Sequence, residues 1–199
     1  MPNTSATGGY LADVTQPAEG VAFRRFIGEL LRGVTGLPGD MVRPSWQENP
    51  PPMPAYGADW LAYGVTARRV EAGDPWQAEK TDGTGSALRR HEMLDVQCTA
   101  YGNNAEAILA ALRDGLDVAQ NREKLFLASM TVADCGQIVH TPELVNERWW
   151  NRADMTITLR REVRREYPIL TFLAAAGSVD ALREATTITQ SFDSRKGEK

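Results

Sequence analysis

Hydrophobic and polar positions alternate strictly at the start of the stretch Trp149–Leu173: Met155, Ile157 and Leu159 stand between Asp154, Thr156 and Thr158. A period of two belongs to a strand that buries one face and wets the other. Beyond Leu159 the apolar parity continues in Val163, Tyr167 and Ile169, but Arg161 and Arg165 interrupt it. Arg160, Glu162, Arg164 and Glu166 lay alternating charge along the other face. The pattern predicts one long strand, its first half in a domain core and its second half projecting from it.

Upstream the period changes to that of a helix. Behind Pro17, Val21, Phe23, Phe26, Ile27, Leu30, Leu31 and Val34 form an apolar stripe that Gly33, Gly36 and Pro38 terminate. Met41–Pro44 reads as a short strand, and Pro50-Pro51-Pro52-Met53-Pro54 as an extended surface connector. A second strand covers Asp59–Ala67, with aromatics on both faces that predict burial on both sides, and continues through Arg68-Arg69-Val70-Glu71. After a turn-rich segment, 74–86, Leu88–Tyr101 reads as a long strand. It places Leu94, Val96, Cys98 and Ala100 on one face and Asp95, Gln97, Thr99 and Tyr101 on the other. The two form an antiparallel hairpin with a long mobile tip.

Asn104 is placed to cap a helix over Ala105–Ala119, and a break near Gln120-Asn121 restarts a shorter one through Leu127. Thr131–His140 reads as an irregular strand and 141–148 as a loop or single turn. A short helix over Val179–Ala185 and a last strand over Thr186–Phe192 follow. The sum is an α+β fold: a mainly antiparallel twisted sheet, helices packed on one face, and a projecting β-hairpin arm. Residues 1–16 form a flexible tail, 17–193 a single domain and 194–199 a frayed tail.

Composition narrows the function. A chain of 199 residues, 42% of them hydrophobic, has enough material for a real core. Its net charge of −4 and pI near 5.3 argue against a general nucleic-acid binder, although a local basic strip is compatible with an acidic total. The sequence shows neither a signal-peptide pattern nor an apolar run long enough to cross a bilayer, so a cytoplasmic chain with no membrane partner is expected.

Candidate chemistry is sparse. His91 with Cys98, and Cys135 with His140, are separated by odd numbers of residues on strands, which points the partners to opposite faces and away from a shared metal ion. A Cys98–Cys135 disulfide stays open, with two buried free thiols as the default. Gly83-Thr84-Gly85-Ser86 lacks the Gly-Lys-Ser/Thr ending and following helix of a phosphate loop. A serine elbow, a His-Glu-x-x-His helix, a Cys-x-x-Cys pair and a dinucleotide fingerprint are likewise absent from the sequence, and no enzyme is expected.

Several segments in fixed order carry a family resemblance: Val42-Arg43-Pro44-Ser45-Trp46-Gln47, Asp59-Trp60-Leu61-Ala62-Tyr63-Gly64, Tyr101-Gly102-Asn103-Asn104-Ala105, Leu112-Arg113-Asp114-Gly115-Leu116, Gln120-Asn121-Arg122 and Arg148-Trp149-Trp150-Asn151-Arg152-Ala153-Asp154-Met155. Over about Val21 to Tyr167 the chain resembles phage and prophage neck or tail-terminator proteins. The resemblance implies a small α/β subunit of a hexameric ring that caps the finished tail tube and offers its other face to the head-side connector. It implies no cofactor and no catalysis, and a location in the host bacterial cytoplasm during assembly and then in the virion.

A ring requires heterologous contacts, and strands with alternating charge can set register between neighbours. Arg160, Arg161, Arg164 and Arg165 are the expected contact residues, with Arg68, Arg69, Arg89 and Arg90 beside them in the same charge style, facing a neighbouring subunit or DNA in the lumen. Reversing Arg161 and Arg165 to Glu is expected to leave the monomer folded and abolish the ring. The competing expectation is a monomeric module that binds a peptide or small molecule through Trp46, Trp60, Trp76 and the proline run.

Overall fold

In the computed structural model, which describes residues 3–15, 17–73, 75–80, 84–170, 174–183 and 186–195, the stripe behind Pro17 forms helix α1, Gly20–Thr35. Phe23, Ile27, Leu30 and Leu31 are its buried side. Gly36 stops it in the left-handed region at φ 70°, donating its N–H to the Arg32 carbonyl, a conformation glycine adopts without a Cβ penalty. A 3-10 turn, Gly39–Met41, leads into β1, Val42–Pro44, which lies parallel to β2, Trp60–Val70. The described elements continue with β3 (Trp76–Glu79), β4 (Ser86–Tyr101), α2 (Ala105–Leu116), α3 (Ala119–Leu127), β5 (Met130–Cys135), β6 (Val139–His140), β7 (Glu143–Val145), β8 (Arg148–Trp150), β9 (Arg152–Tyr167), β10 (Ala174–Arg183) and β11 (Thr186–Arg195).

The main sheet has the order β1-β2-β4-β9-β5, with β3 added to β4 and β6 to β9. Antiparallel pairing joins β2 to β4, β3 to β4, and both β5 and β6 to β9, so the fold is α+β with a mainly antiparallel sheet. The chain makes two compact units. The larger comprises Pro17–Asp74 and Arg90–Val163; the smaller comprises Met1–Gln16, Pro75–Arg89 and Arg164–Lys199.

In the larger unit, one face of the sheet and the three helices share a single core. Leu61 and Tyr63 of β2, Leu94, Val96, Cys98 and Ala100 of β4, and Ala153, Met155, Ile157 and Leu159 of β9 meet the buried sides of α1, α2 and α3. The alternation seen in the sequence is therefore the alternation of burial. On β2 Leu61 and Tyr63 are buried on the core face, while on the other face Gly64 is buried and Trp60 and Ala62 are half-buried, so both faces are covered, the outer one in part. In the smaller unit β3 pairs with the first residues of β4, from Trp76↔Arg89 to Glu79↔Ser86. Ser5 donates its N–H to the Pro168 carbonyl and Val14 to that of Glu166. There β10 and β11 form an antiparallel hairpin.

Several local expectations are corrected. The turn-rich segment contains β3, and the loop before β9 is a hairpin, β7 to β8, closed by Asn146 and Glu147 with φ of 49° and 62°. Positive φ at both central residues suits the right-handed twist of a two-residue hairpin, and a glutamate there carries no sequence signal for it. The residues of the expected helix up to Arg183 lie on β10, where pairing in register with β11 overrides the helical preference of alanine and leucine; 184–185 lie outside the described residues. The last strand is present and runs on through Ser194 and Arg195, while 196–199 lie outside the described residues. Helix α2 stops at Leu116, earlier than expected, and Asn121 donates to the Gly115 carbonyl at 2.8 Å across the break. Asn104 makes no side-chain cap. Its N–H and amide instead both reach the Asp59 carboxylate, at 3.0 and 2.7 Å.

Candidate interface residues

Two extra residues in strands decide where the charged groups point. Opposite β4, the register of β2 shifts between Val65 and Ala67, leaving Thr66 as a bulge. Leu61, Tyr63 and Val65 lie opposite Ala100, Cys98 and Val96, but past the bulge Arg68 lies opposite Leu94 and Val70 opposite Glu92. Directly opposed residues share a face, so the bulge turns Arg68 to the core side. Opposite β9, Ala133 is the extra residue of β5, which is why Val132 and then Cys135 face inward on that irregular strand.

Arg161 keeps the parity of Leu159 and Val163 and is buried with them. Its Nε donates to the buried Glu92 carboxylate, Nη1 to the Ala18 carbonyl at 3.0 Å, and Nη2 to Glu19 at 3.0 Å. The guanidinium lies over the Phe23 ring, 5.0 Å from its centroid. Arg68 completes the group, 2.7 Å from Glu19 and 3.8 Å from Glu92. Partial burial pushes the Glu19 carboxyl up, and Arg68 and Arg161 more than reverse this, holding it below the usual range. Arg161 and Glu92 thus pair in the interior, one Glu92 oxygen remaining without a hydrogen-bond donor, while the partly exposed Arg68 and Glu19 close the group toward solvent. Reversing Arg161 to Glu would set two buried carboxylates together, so an Arg161, Arg165 double reversal is now expected to destabilise the monomer itself rather than leave it folded.

The other arginines lie nearer the surface. Arg160 grips Glu71 through two nitrogens, with contacts of 2.8 to 3.2 Å, and Arg69 approaches Asp95 at 3.3 Å. In the smaller unit Arg164 reaches Glu166 at 2.9 Å, Arg165 reaches Asp13 at 2.6 Å, and Arg89 lies 5.2 Å from the centroid of Trp76. Arg90, in the larger unit, is half-buried. For Arg160, Arg69, Arg164 and Arg165, the alternating charge along these strands is thus matched by carboxylates within the chain.

Sequence reasoning missed a second polar centre, on the sheet face away from the helices. Asp154 accepts hydrogen bonds from the hydroxyls of Thr99 and Thr141 and from Gln97, and pairs with Arg152, which also reaches Glu143 at 3.1 Å. Partial burial pushes the Asp154 carboxyl up, but these donors outweigh it and hold the group below the usual range. Arg152 lies over Tyr101, Tyr101 stacks on Trp60 at 4.3 Å between centroids, and Arg43 lies over the far side of Trp60. A stacked pair of rings on β2 and β4 is so flanked by one cation from β1 and one from β9. The period-two pattern had put Asp154, Thr99 and Gln97 on the outer face, but spacing within one strand does not show which outer residues meet across strands.

Trp46, Trp60 and the proline run come together around a hollow of about 420 Å³, while Trp76 belongs to the smaller unit. Cys98 and Cys135 are free. They lie on β4 and β5, with β9 between them. At about 4.8 Å per strand spacing, that separation exceeds disulfide reach. Burial pushes the Cys98 thiol up to about 12 and raises that of Cys135, so both stay protonated and weakly nucleophilic. Among the described residues, no helix is long and apolar enough to cross a membrane.

Helices thus cover one sheet face, and most of the strand arginines pair with carboxylates of the same chain. The chain belongs to the phage neck terminator protein family, whose model matches residues 21–184. That places it among the structural proteins of the phage neck, which work in contact with other head and tail proteins. No curated protein matches it.

Proposed function

We propose that the chain is a tail terminator that assembles as a hexameric ring, caps the completed tail tube and presents its other face to the head-side connector. The observation that carries this is the family match over residues 21–184, which takes in all of the larger unit except its first four residues. No catalytic step and no cofactor enters. In the ring, Arg160, Arg164, Arg165, Arg68, Arg69, Arg89 and Arg90 lie toward a neighbour or the lumen, while buried Arg161 fixes β9 against α1 and β4. Contact with passing DNA is non-specific and weak, because the arginines that pair with carboxylates must exchange those partners to reach a phosphate. Light scattering of the chain alone and with assembled tail tubes tests the proposal. A ring mass in either sample, with tubes that stop growing, is the expected result; a single-copy mass in both, with tube growth unaffected, overturns it.

A further inference from the structure

The edges of the main sheet are unlike each other. At one edge β1 is followed by Trp46, held at φ 54° and 72% exposed. A left-handed tryptophan persists only where its surroundings fix it. Here the indole lies against the backbone of Gly64: a Cβ at that glycine would fall 2.4 Å from Trp46 Cζ3, a place no side chain could share. The ring stands between two hollows. One, of about 420 Å³, has Trp60, Met53 and prolines for walls; the other, of about 590 Å³, carries Arg24, Arg25 and one acid, Glu48. A rigid exposed tryptophan between hollows has the form of an interface hot spot.

At the other edge lies β5, and α3 leads into it. Phe126 and Leu127 at the end of α3 are 79% and 78% exposed, and Phe126 borders a hollow of about 570 Å³ that includes Met130, Arg122 and Glu123. Leu125 is the helix's buried anchor, so the next two residues are carried out of the core on a fixed support. Among the described residues Arg24, Arg25 and Glu123 have no ion-pair partner.

We propose that Phe126 and Leu127 of one copy pack against Trp46 and its hollows in the next copy, with Glu123 facing Arg24 and Arg25. The contact rests on the ring proposed above and names where its subunits meet. Three features select a second copy as the occupant: an apolar knob and an aromatic hollow on the same chain, opposite charges beside them, and their location at opposite edges of one sheet. Patches at opposite edges cannot both engage within one two-fold pair. They link copies head to tail, the arrangement that closes into a ring.

The two sides can be disabled separately. Trp46→Ala removes the hollow's wall and keeps the knob; Phe126→Ser with Leu127→Ser removes the knob and keeps the hollow. Both changes are at exposed positions, and unfolding midpoints close to that of the wild type confirm intact subunits. Each variant alone is expected to self-associate at least about thirtyfold more weakly than the wild type and to form no ring. Mixed in equal amounts, the variants retain one intact contact and are expected to sediment as a heterodimer that goes no further. Rings formed by either variant, or a mixture that stays monomeric while wild type forms rings, overturn the proposed contact and leave the ring standing. Wild type that never associates, with or without tubes, overturns the ring itself.

Discussion

Arg161 and Arg165 occupy the same face of one strand, four residues apart, and end in different surroundings. Arg161 is 4% exposed, surrounded by Glu92, Glu19 and the Phe23 ring in the larger unit. Arg165, in the smaller unit, keeps about a quarter of its side chain in solvent and meets Asp13. The strand's period gave both the inward parity. What separates them is the material opposite: a helix and a bulged strand for Arg161, an N-terminal segment for Arg165. Parity tells which way a side chain points, and long-range packing decides whether it becomes core.

The largest effect should come from breaking the buried group. Arg161→Ala leaves Glu92 without its main partner inside the core and is expected to destabilise the fold by about 3–5 kcal/mol in denaturant unfolding. Replacing both partners, Arg161→Met with Glu92→Leu, should restore most of that loss. An Arg161→Ala midpoint no lower than that of Arg165→Ala would end the comparison.

Asp154 should come next. Asp154→Ala deprives two threonines and Arg152 of an acceptor, an expected loss of about 1.5–3 kcal/mol. The pH dependence has a definite sign. The folded carboxyl titrates below the unfolded one, so its stabilisation is complete above the ordinary carboxylate range and is lost as pH falls through the folded value. Asp154→Asn should therefore flatten the acid limb of the stability curve below about pH 4. An unchanged limb would show that other carboxylates govern it.

The smallest effect should be that of Arg164→Ala. Its partner Glu166 is also held by Lys80 at 2.7 Å, and Arg164 is exposed, so the unfolding midpoint should not move measurably. A clear shift would mean that the smaller unit depends on its surface charges as the larger depends on Arg161.

Much of the fold could be read in advance from period alone. The pairing of β2 with β4, the buried parity of β9 and the stop of α1 at Gly36 all follow from local pattern or a single glycine. The missed elements depend on distant residues. Trp76–Glu79 is too short to show a period and becomes β3 by adding to β4, and Ala174–Arg183 becomes β10 through β11. Among the candidate contact residues, the pattern located the arginines but not their carboxylates. Arg161 looked like a break in a hydrophobic face because Glu92 and Glu19, which make its burial tolerable, stand far away in sequence. Trp46 was visible as an aromatic beside prolines; its left-handed backbone and the glycine behind it were not.

The extra residue in β5 has a consequence for subunits awaiting assembly. An exposed edge strand with a regular ladder is a template for fibre growth, each chain extending the sheet of the last. Ala133 breaks that ladder between Val132 and Asp134, so backbone pairing along β5 cannot continue uninterrupted. High local concentrations of the chain are then less prone to run into amyloid-like stacks, and growth at this edge is left to side-chain contacts, whose geometry can limit the number of copies.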